Sequence, residues 1–216
     1  MWKNWVTPCS RKQTPLKSNF KTDLAQEKKL IPVLDSYYRK HLKFYDFERV
    51  HGLEQQLSGV DLILTRKKTG ETFFVDEKAQ LDYLNKNLPT FAFELFYTKN
   101  DALKPGWLFD TQKTTQMYAL VTNIQKESDT FAACNITFVN RQKLLSFLAE
   151  KGLNEVFLRN RVLKHLEFHG KMELPGLDLR KEGHVHFSSN NKAEQPINLV
   201  FQLAFLKEIG VAKKFI

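Results

Sequence analysis

The chain has few of the features that mark secreted, membrane-spanning or disulfide-linked proteins. Its 216 residues include two cysteines, Cys9 and Cys134, which form no CxxC pair. We therefore expect free thiols in a reducing compartment, and a cytoplasmic protein, because no disulfide framework is evident. The sequence has no run of about 18 apolar residues, so no membrane span is expected. The N-terminus also lacks the apolar segment of a secretory signal.

Several catalytic fingerprints are missing as well. The chain contains no Gly-x-Gly-x-x-Gly, no Gly-x4-Gly-Lys and no Gly-x-Ser-x-Gly pattern, so nucleotide-driven work and serine hydrolase chemistry have no support. His165 and His169 have Glu167 midway between them, whereas the zinc-protease pattern needs the glutamate directly after the first histidine. His184 and His186 alternate on a predicted strand without a recognisable third ligand. We expect these histidines to have ordinary hydrogen-bonding roles.

Acidic residues are absent from the first 21 residues, which carry only basic charges. These are Lys3, Arg11, Lys12, Lys17 and Lys21. Residues 1–21 are predicted to form a loosely ordered basic arm, which could touch phosphates or be a plain solvated terminus. The whole chain has a net charge of +9, with 42% hydrophobic and 26% charged residues, as in an ordinary globular protein. A basic balance favours an anionic partner, of which nucleic acid is the commonest.

The most informative stretch runs from Gly59 to Gln80. It predicts two short strands joined by a turn at residues 68–70. The first strand, about Val60 to Arg66, begins with an acid. The second, about Thr72 to Gln80, is apolar until it presents the sequence Asp-Glu-Lys. The hairpin therefore places charged residues at one end of an otherwise apolar pair of strands.

Three ionisable side chains of this hairpin are predicted to converge. Side chains alternate along a strand, so Asp76 and Lys78 share one face and Glu77 points the other way. In the natural register of the hairpin, Asp61 lies near Asp76. Two carboxylates placed in this way suit magnesium, which usually keeps several waters and takes one or two protein carboxylates. Structural ion pairs are the alternative, although aspartates in strands are costly unless they are used.

These residues resemble the motif of the PD-(D/E)XK nuclease superfamily, which is an acid, a spacer, and then acid-x-lysine on the next strand. The match consists of Asp61, fourteen intervening residues, Asp76 and Lys78. Val60 stands where the superfamily name has proline, although that proline is often absent. The resemblance implies a metal-dependent nuclease that hydrolyses phosphodiester bonds, in DNA in preference to RNA. Asp61 and Asp76 would bind magnesium, for which manganese can substitute, and Lys78 would orient the attacking water.

The resemblance also implies a fold. The expected core, residues 22–152, is an α/β domain with a restriction-endonuclease-like mixed central sheet, helices on both faces and the order helix–strand–strand–strand–helix–strand. Residues 153–216 are predicted to be a C-terminal α+β extension packed on that core. A homodimer is compatible with this class of enzyme. The alternative function is a catalytically inactive module on a nuclease-like fold that binds nucleic acid or a protein partner.

Further acids and one amide are candidates for the site. By analogy with a first-helix glutamate in the superfamily, Glu27 is the candidate third catalytic acid and metal ligand, and Glu54 and Glu94 are its rivals. Gln80 lies two residues beyond Lys78 and could bond a phosphate or the attacking water, or simply end the strand.

Basic and aromatic residues outside the hairpin are candidates for binding nucleic acid. Lys113 lies in a polar, hydroxyl-rich patch, and Arg159, Arg161 and Lys164 lie on a predicted helix that begins near residue 154. They could hold a phosphate backbone, although a charge run is usually a solvated face. Trp107 could stack on a splayed base, but a core tryptophan is the favoured interpretation.

The remaining pattern predicts the following segments. A helix runs from residue 22 or 23 to about residue 41 and is bent or interrupted at Pro32. A polar connector covers residues 52–58, and a short terminal turn covers residues 205–209. Other strands are predicted at residues 44–50, 90–97, 116–124, 132–139, 185–188 and 197–202, and a further helix at residues 141–151.

Overall fold

The computed structural model describes residues 20–100, 102–188 and 195–216. The basic arm predicted at residues 1–21 therefore lies almost entirely outside the described residues. Within them lie five α-helices and eleven strands, and the strands form two sheets, which confirms a mixed α/β fold. The helices are α1 (Phe20–His41), α2 (Leu53–Leu57), α3 (Arg141–Glu150), α4 (Glu155–Leu163) and α5 (Leu203–Glu208), with a 3-10 turn at Leu81–Tyr83. The strands are β1 (Tyr45–Arg49), β2 (Leu62–Arg66), β3 (Thr72–Ala79), β4 (Thr90–Lys99), β5 (Ala102–Pro105), β6 (Met117–Glu127), β7 (Thr130–Asn140), β8 (Gly170–Met172), β9 (Gly183–Phe187), β10 (Ile197–Gln202) and β11 (Ala212–Lys214).

The first sheet contains six strands in the order β1-β2-β3-β6-β7-β11. All neighbouring strands in it are antiparallel except β3 and β6, which run parallel. The predicted hairpin is formed by β2 and β3, with Leu62 paired with Val75. Gly70, in the turn between them, has a φ of 70°, a left-handed conformation that glycine adopts at little cost.

Alternating residues of β6 divide the apolar core into two parts. Tyr118 and Leu120 pack with residues of the second sheet, α3, α4 and α5. Ala119 and Val121 pack with residues of α1 on the opposite face. The first sheet is therefore covered by α1 on one side and by the second sheet together with α3 on the other. The prediction of helices on both faces is thus incomplete, because much of the second face is covered by strands.

The second sheet contains five antiparallel strands in the order β5-β4-β10-β9-β8. The sequence interpretation placed residues 153–216 in an extension packed on the core. In the structure these residues share both sheets with it, because β10 lies between β4 and β9, and β11 pairs with β7. The C-terminal residues therefore build part of the second sheet, which packs against the first.

Several segments differ from their predictions. The predicted connector at residues 52–58 contains α2, and the predicted turn at residues 205–209 overlaps α5. Pro32 does not interrupt α1, because Leu30 and Leu34 on either side of it are buried and hold the helix on the sheet. In the described part of the chain, the 3-10 turn, β4 and β5 stand between β3 and β6, where the resemblance implies a helix.

No helix in the described ranges has the length and apolar character that crossing a bilayer requires.

Candidate active site

The β2–β3 hairpin brings Asp61 and Asp76 side by side. Leu62 pairs with Val75, so the residue just before Leu62 lies opposite the residue just after Val75. The backbone N–H of Asp61 donates to the carbonyl oxygen of Val75 at 2.9 Å. Its side-chain Oδ2 accepts a hydrogen bond from the backbone N–H of Glu77 at 2.8 Å. Asp61 is thus anchored to β3 at two points, which fixes its carboxylate beside that of Asp76.

Asp76 is a buried acid that forms an ion pair with a lysine. Its side chain is 4% exposed, and its Oδ1 lies 2.8 Å from Nζ of Lys78, whose side chain is 30% exposed. Burial raises the pKa of Asp76 to about 7; the charge of Lys78 lowers it in part, and the charge of Asp61 raises it further. Burial lowers the pKa of Lys78, but the carboxylates of Asp76, Asp61 and Glu27 outweigh this effect and raise it. The set holds more negative charge than one ammonium can neutralise, which favours binding of a cation.

Glu77 points away from this set, as strand alternation predicts. Its Oε2 lies 2.6 Å from Nη1 of Arg49, and its Oε1 accepts a hydrogen bond from the Tyr38 hydroxyl at 2.7 Å. Nε of Arg49 is 2.6 Å from Oδ1 of Asp35 in α1. These contacts join α1, β1 and β3 behind the site and leave Asp76 and Lys78 on the face toward the second sheet.

The Asp61–Asp76–Lys78 set lies in a cleft of about 440 Å³. The cleft is lined by Glu27, Gln56, Gly59, Asp61, Asp76, Glu77, Lys78, Glu94, Tyr97, Lys99, Pro105, Trp107, Asp110 and Lys113. Leaving out Glu77, whose carboxylate binds Arg49, five acidic residues outnumber three lysines. Although the whole chain carries a charge of +9, the cleft itself is acidic.

Gly59 allows the chain to pass close to the acids as it enters β2. It has a φ of 78°, and a Cβ atom built on it would lie 2.5 Å from Oγ1 of Thr115 and 3.6 Å from Oδ2 of Asp76. The carbonyl oxygen of Gly59 accepts a hydrogen bond from the same Thr115 hydroxyl at 2.6 Å. A side chain at this position would therefore disturb the wall of the cleft next to Asp76.

Trp107 forms an apolar wall beside the lysine. Its ring lies 4.7 Å from that of Tyr118 and 5.4 Å from that of Phe93, centroid to centroid. Nζ of Lys78 lies 5.4 Å from the Trp107 centroid, within cation–π range. Trp107 thus packs on the core, as the sequence favoured, and also lines the cleft.

Of the other predicted site residues, some line the cleft and others lie outside it. Glu27 and Glu94 line the cleft, whereas Glu54 does not and lies exposed in the first turn of α2. Gln80 follows the last residue of β3, and its Nε2 donates to the carbonyl oxygen of Thr90 at 2.8 Å. It does not line the cleft, which agrees with its alternative role of ending the strand.

Of the predicted nucleic-acid contacts, only Lys113 lines the cleft, where its Nζ donates to the carbonyl oxygen of Leu57 at 2.6 Å. Arg159 Nη2 donates to Glu155, and its guanidinium carbon lies 4.8 Å from the ring centroid of Phe96. Arg161 donates to the carbonyl oxygen of Glu173, and Lys164 is exposed just after α4. None of these three lines the cleft, because α4 packs elsewhere on the second sheet.

Tyr97 and Lys99 are site residues that sequence reasoning missed. A register shift between β4 and β10, where Ile197 pairs with Phe96 but Asn198 pairs with Glu94, inserts one extra residue into β4. Glu94 and Tyr97, three positions apart, therefore both reach the cleft. The acidic residue Glu94 within an apolar strand was the available signal in the sequence, but side-chain alternation alone does not predict the bulge.

The donor chemistry of the site fits magnesium. Asp61 and Asp76 supply hard carboxylate oxygens, and a magnesium ion commonly takes one or two such ligands and keeps its waters. Within residues 20–100, 102–188 and 195–216, no three His, Cys, Asp or Glu side chains are grouped closely enough to hold a metal ion together. Asp61 and Asp76 are the carboxylates of the hairpin that would hold such an ion, with water completing its shell.

Comparison of the chain with family models, with curated proteins and with solved structures finds no match. The assignment of function therefore depends on the geometry of the cleft.

Proposed function

We propose that this chain is a magnesium-dependent nuclease of the PD-(D/E)XK type, which hydrolyses phosphodiester bonds in DNA. The observation that carries the proposal is the pairing of Asp61 and Asp76 on adjacent strands, with Lys78 bound to Asp76 in a cleft of about 440 Å³. A buried acid such as Asp76 is costly to keep unless it is used, and a strongly shifted pKa is frequent at functional sites.

Each residue of the set has a distinct role in this proposal. Asp61 and Asp76 would hold magnesium or manganese, with Glu27 at the edge of the cleft. When bound, the ion neutralises charge on the phosphate and lowers the pKa of water. Lys78 orients the attacking water through its ammonium protons and offsets the negative charge that develops on the phosphate oxygens.

The strand arrangement supports a restriction-endonuclease-like core, with one departure. The chain supplies a helix followed by three antiparallel strands, α1, β1, β2 and β3, and then β6 parallel to β3. The helix expected before the fourth strand is replaced by β4 and β5 of the second sheet. This replacement supplies Glu94, Tyr97 and Lys99 to the cleft. The replacement therefore changes which residues lie opposite Asp61 and Asp76, but not the pairing of these two aspartates in the β2–β3 hairpin.

The experiment is a nuclease assay on plasmid and single-stranded DNA with magnesium, using Asp76→Ala and Lys78→Ala in separate variants. We expect each variant to lose about a hundredfold or more of the wild-type rate, because each loses charge stabilisation at the phosphate. A chelator should abolish wild-type cutting, and added magnesium or manganese should restore it.

Matched controls are Asp129→Ala and Lys68→Ala, both exposed and outside the cleft. They should cut at the wild-type rate, and circular dichroism should show that all four variants are folded. Unchanged cutting by both the Asp76 and the Lys78 variants would rule out the proposal.

A further inference from the structure

We infer that the substrate is single-stranded DNA, and that a base next to the scissile phosphate stacks on Tyr97. This inference rests on the proposed nuclease function and specifies the substrate of the same cleft.

The shape of the cleft is the first observation. Its volume of about 440 Å³ is at the lower end of the range of pockets that enclose small ligands. The carboxylate of Asp76 is almost fully buried within it. Strands β4 and β5 form one wall through Tyr97, Lys99 and Pro105, and α2 contributes Gln56. To reach Asp76, a scissile phosphate must enter this cleft, and an unpaired strand can bend into it without first being separated from a partner strand.

The aromatic lining is the second observation. Tyr97 lines the cleft and is half-buried, and no aromatic ring among the described residues stacks on it. Trp107 is held in place by Tyr118 and Phe93, with Lys78 against its ring. Aromatic rings that line a groove are the usual platforms for unpaired bases, since every base has a face that can stack. In a duplex these faces are already stacked on one another.

The charge of the cleft is the third observation. Five acidic residues outnumber three lysines even when Glu77 is left out. Duplex DNA carries about one negative charge per 1.7 Å of its axis from its two backbones, and a single strand carries fewer. Of the three lysines, Lys78 is paired with Asp76, so few cations in the cleft remain for the two backbones of a duplex. Lys99 and Lys113 are placed to contact the phosphates of one strand.

The first experiment compares cutting of one labelled oligodeoxynucleotide when single-stranded and when annealed in a blunt duplex. We expect kcat/KM of the wild-type protein to be at least about tenfold higher on the single strand. Tyr97→Leu should raise KM on the single strand about tenfold, and Tyr97→Phe should recover most of this loss because it keeps the ring. Tyr83→Leu, an exposed tyrosine outside the cleft, should behave as wild type.

Equal or faster cutting of the duplex by the wild type, or a Tyr97→Leu variant with unchanged KM, would overturn the inference while leaving the nuclease proposal intact.

The second experiment measures binding of the same oligonucleotides to the Asp76→Asn variant by fluorescence anisotropy. This measurement does not depend on turnover. Tighter binding of the single strand, weakened about tenfold by adding Tyr97→Leu, supports the inference. Equal binding of strand and duplex overturns it, even if no variant cuts DNA.

Discussion

In the proposed site, a proton and a magnesium ion would compete for the carboxylate of Asp76. Burial raises its pKa to about 7, and although Lys78 opposes this, Asp61 adds to it. Such a group is half protonated near neutral pH, and it must lose its proton to bind a cation. The protonation state of Asp76 would therefore control how tightly the proposed site binds magnesium.

We expect magnesium affinity to depend on pH with its break near 7. Below that pH, Asp76 is protonated and magnesium must displace the proton, so the affinity should fall about tenfold for each further pH unit. Above it, the affinity should be flat. Calorimetric titration with magnesium at several pH values from about 5.5 to about 8.5, on both sides of that pKa, measures this dependence. Asp129→Ala should reproduce it, whereas an affinity that stays constant across pH 7 would contradict the role of Asp76.

Gly59 lies close to Asp76 and Thr115, and its substitution should be costly. In Gly59→Ala the added Cβ would lie 2.5 Å from Thr115 Oγ1, on a backbone with a φ of 78°. We expect a loss of about 1–3 kcal/mol in the free energy of unfolding, measured by urea titration, and weaker magnesium binding. Gly70→Ala is the matched control, since its φ is 70° but nothing lies within 4 Å of its Cβ position. Equal losses in the two variants would show that contact with Thr115 is unimportant.

Strand β3 has charged side chains with different partners on its two faces. Asp76 and Lys78 face the cleft, and Glu77 faces α1, where Arg49 and Tyr38 bind its carboxylate. The backbone N–H of Glu77 also holds Asp61. The buried network behind the strand therefore fixes the part of the backbone that positions both aspartates.

Arg49→Met should strongly destabilise the protein, because it leaves the carboxylate of Glu77 buried without its cation. We expect a loss of about 3–5 kcal/mol in the free energy of unfolding, and a double variant that also carries Glu77→Leu should recover part of it. Lys67→Met, which breaks an exposed pair with Asp46, should cost much less. Urea unfolding monitored by tryptophan fluorescence measures all three. A loss in Arg49→Met no larger than that of the surface control would contradict this account.

The two sheets depend on segments that are far apart in the chain. Strand β10 is the central strand of the second sheet and pairs with β4, and β11 completes an edge of the first sheet. Without the C-terminal residues, β4 would keep only β5 as a partner and would expose Phe91 and Phe93. A two-stranded unit of this kind is marginally stable in water.

A chain ending at residue 152 should therefore fail to fold. We expect it to show no cooperative thermal transition by circular dichroism, whereas the full chain should unfold in one. Amide chemical-shift dispersion by NMR provides an independent check. A well-dispersed spectrum from the shortened chain would show that the core predicted at residues 22–152 folds without the C-terminal extension.

The sequence by itself determined the hairpin and the three charged residues on it. Alternation placed Asp76 and Lys78 on one face and Glu77 on the other, and the short turn set the register that brings Asp61 to Asp76. These relations are local, because two strands joined by a few residues have few ways to pair.

Tertiary structure decided what surrounds the hairpin. Tyr97 reaches the cleft through a bulge in β4, and Arg159 does not reach it because its guanidinium packs on Phe96. Both outcomes depend on pairing and packing between segments separated by tens of residues, where β10 inserts beside β4. Side-chain alternation and charge patterns describe single segments, so they do not encode which distant strand becomes the opposite wall of the cleft.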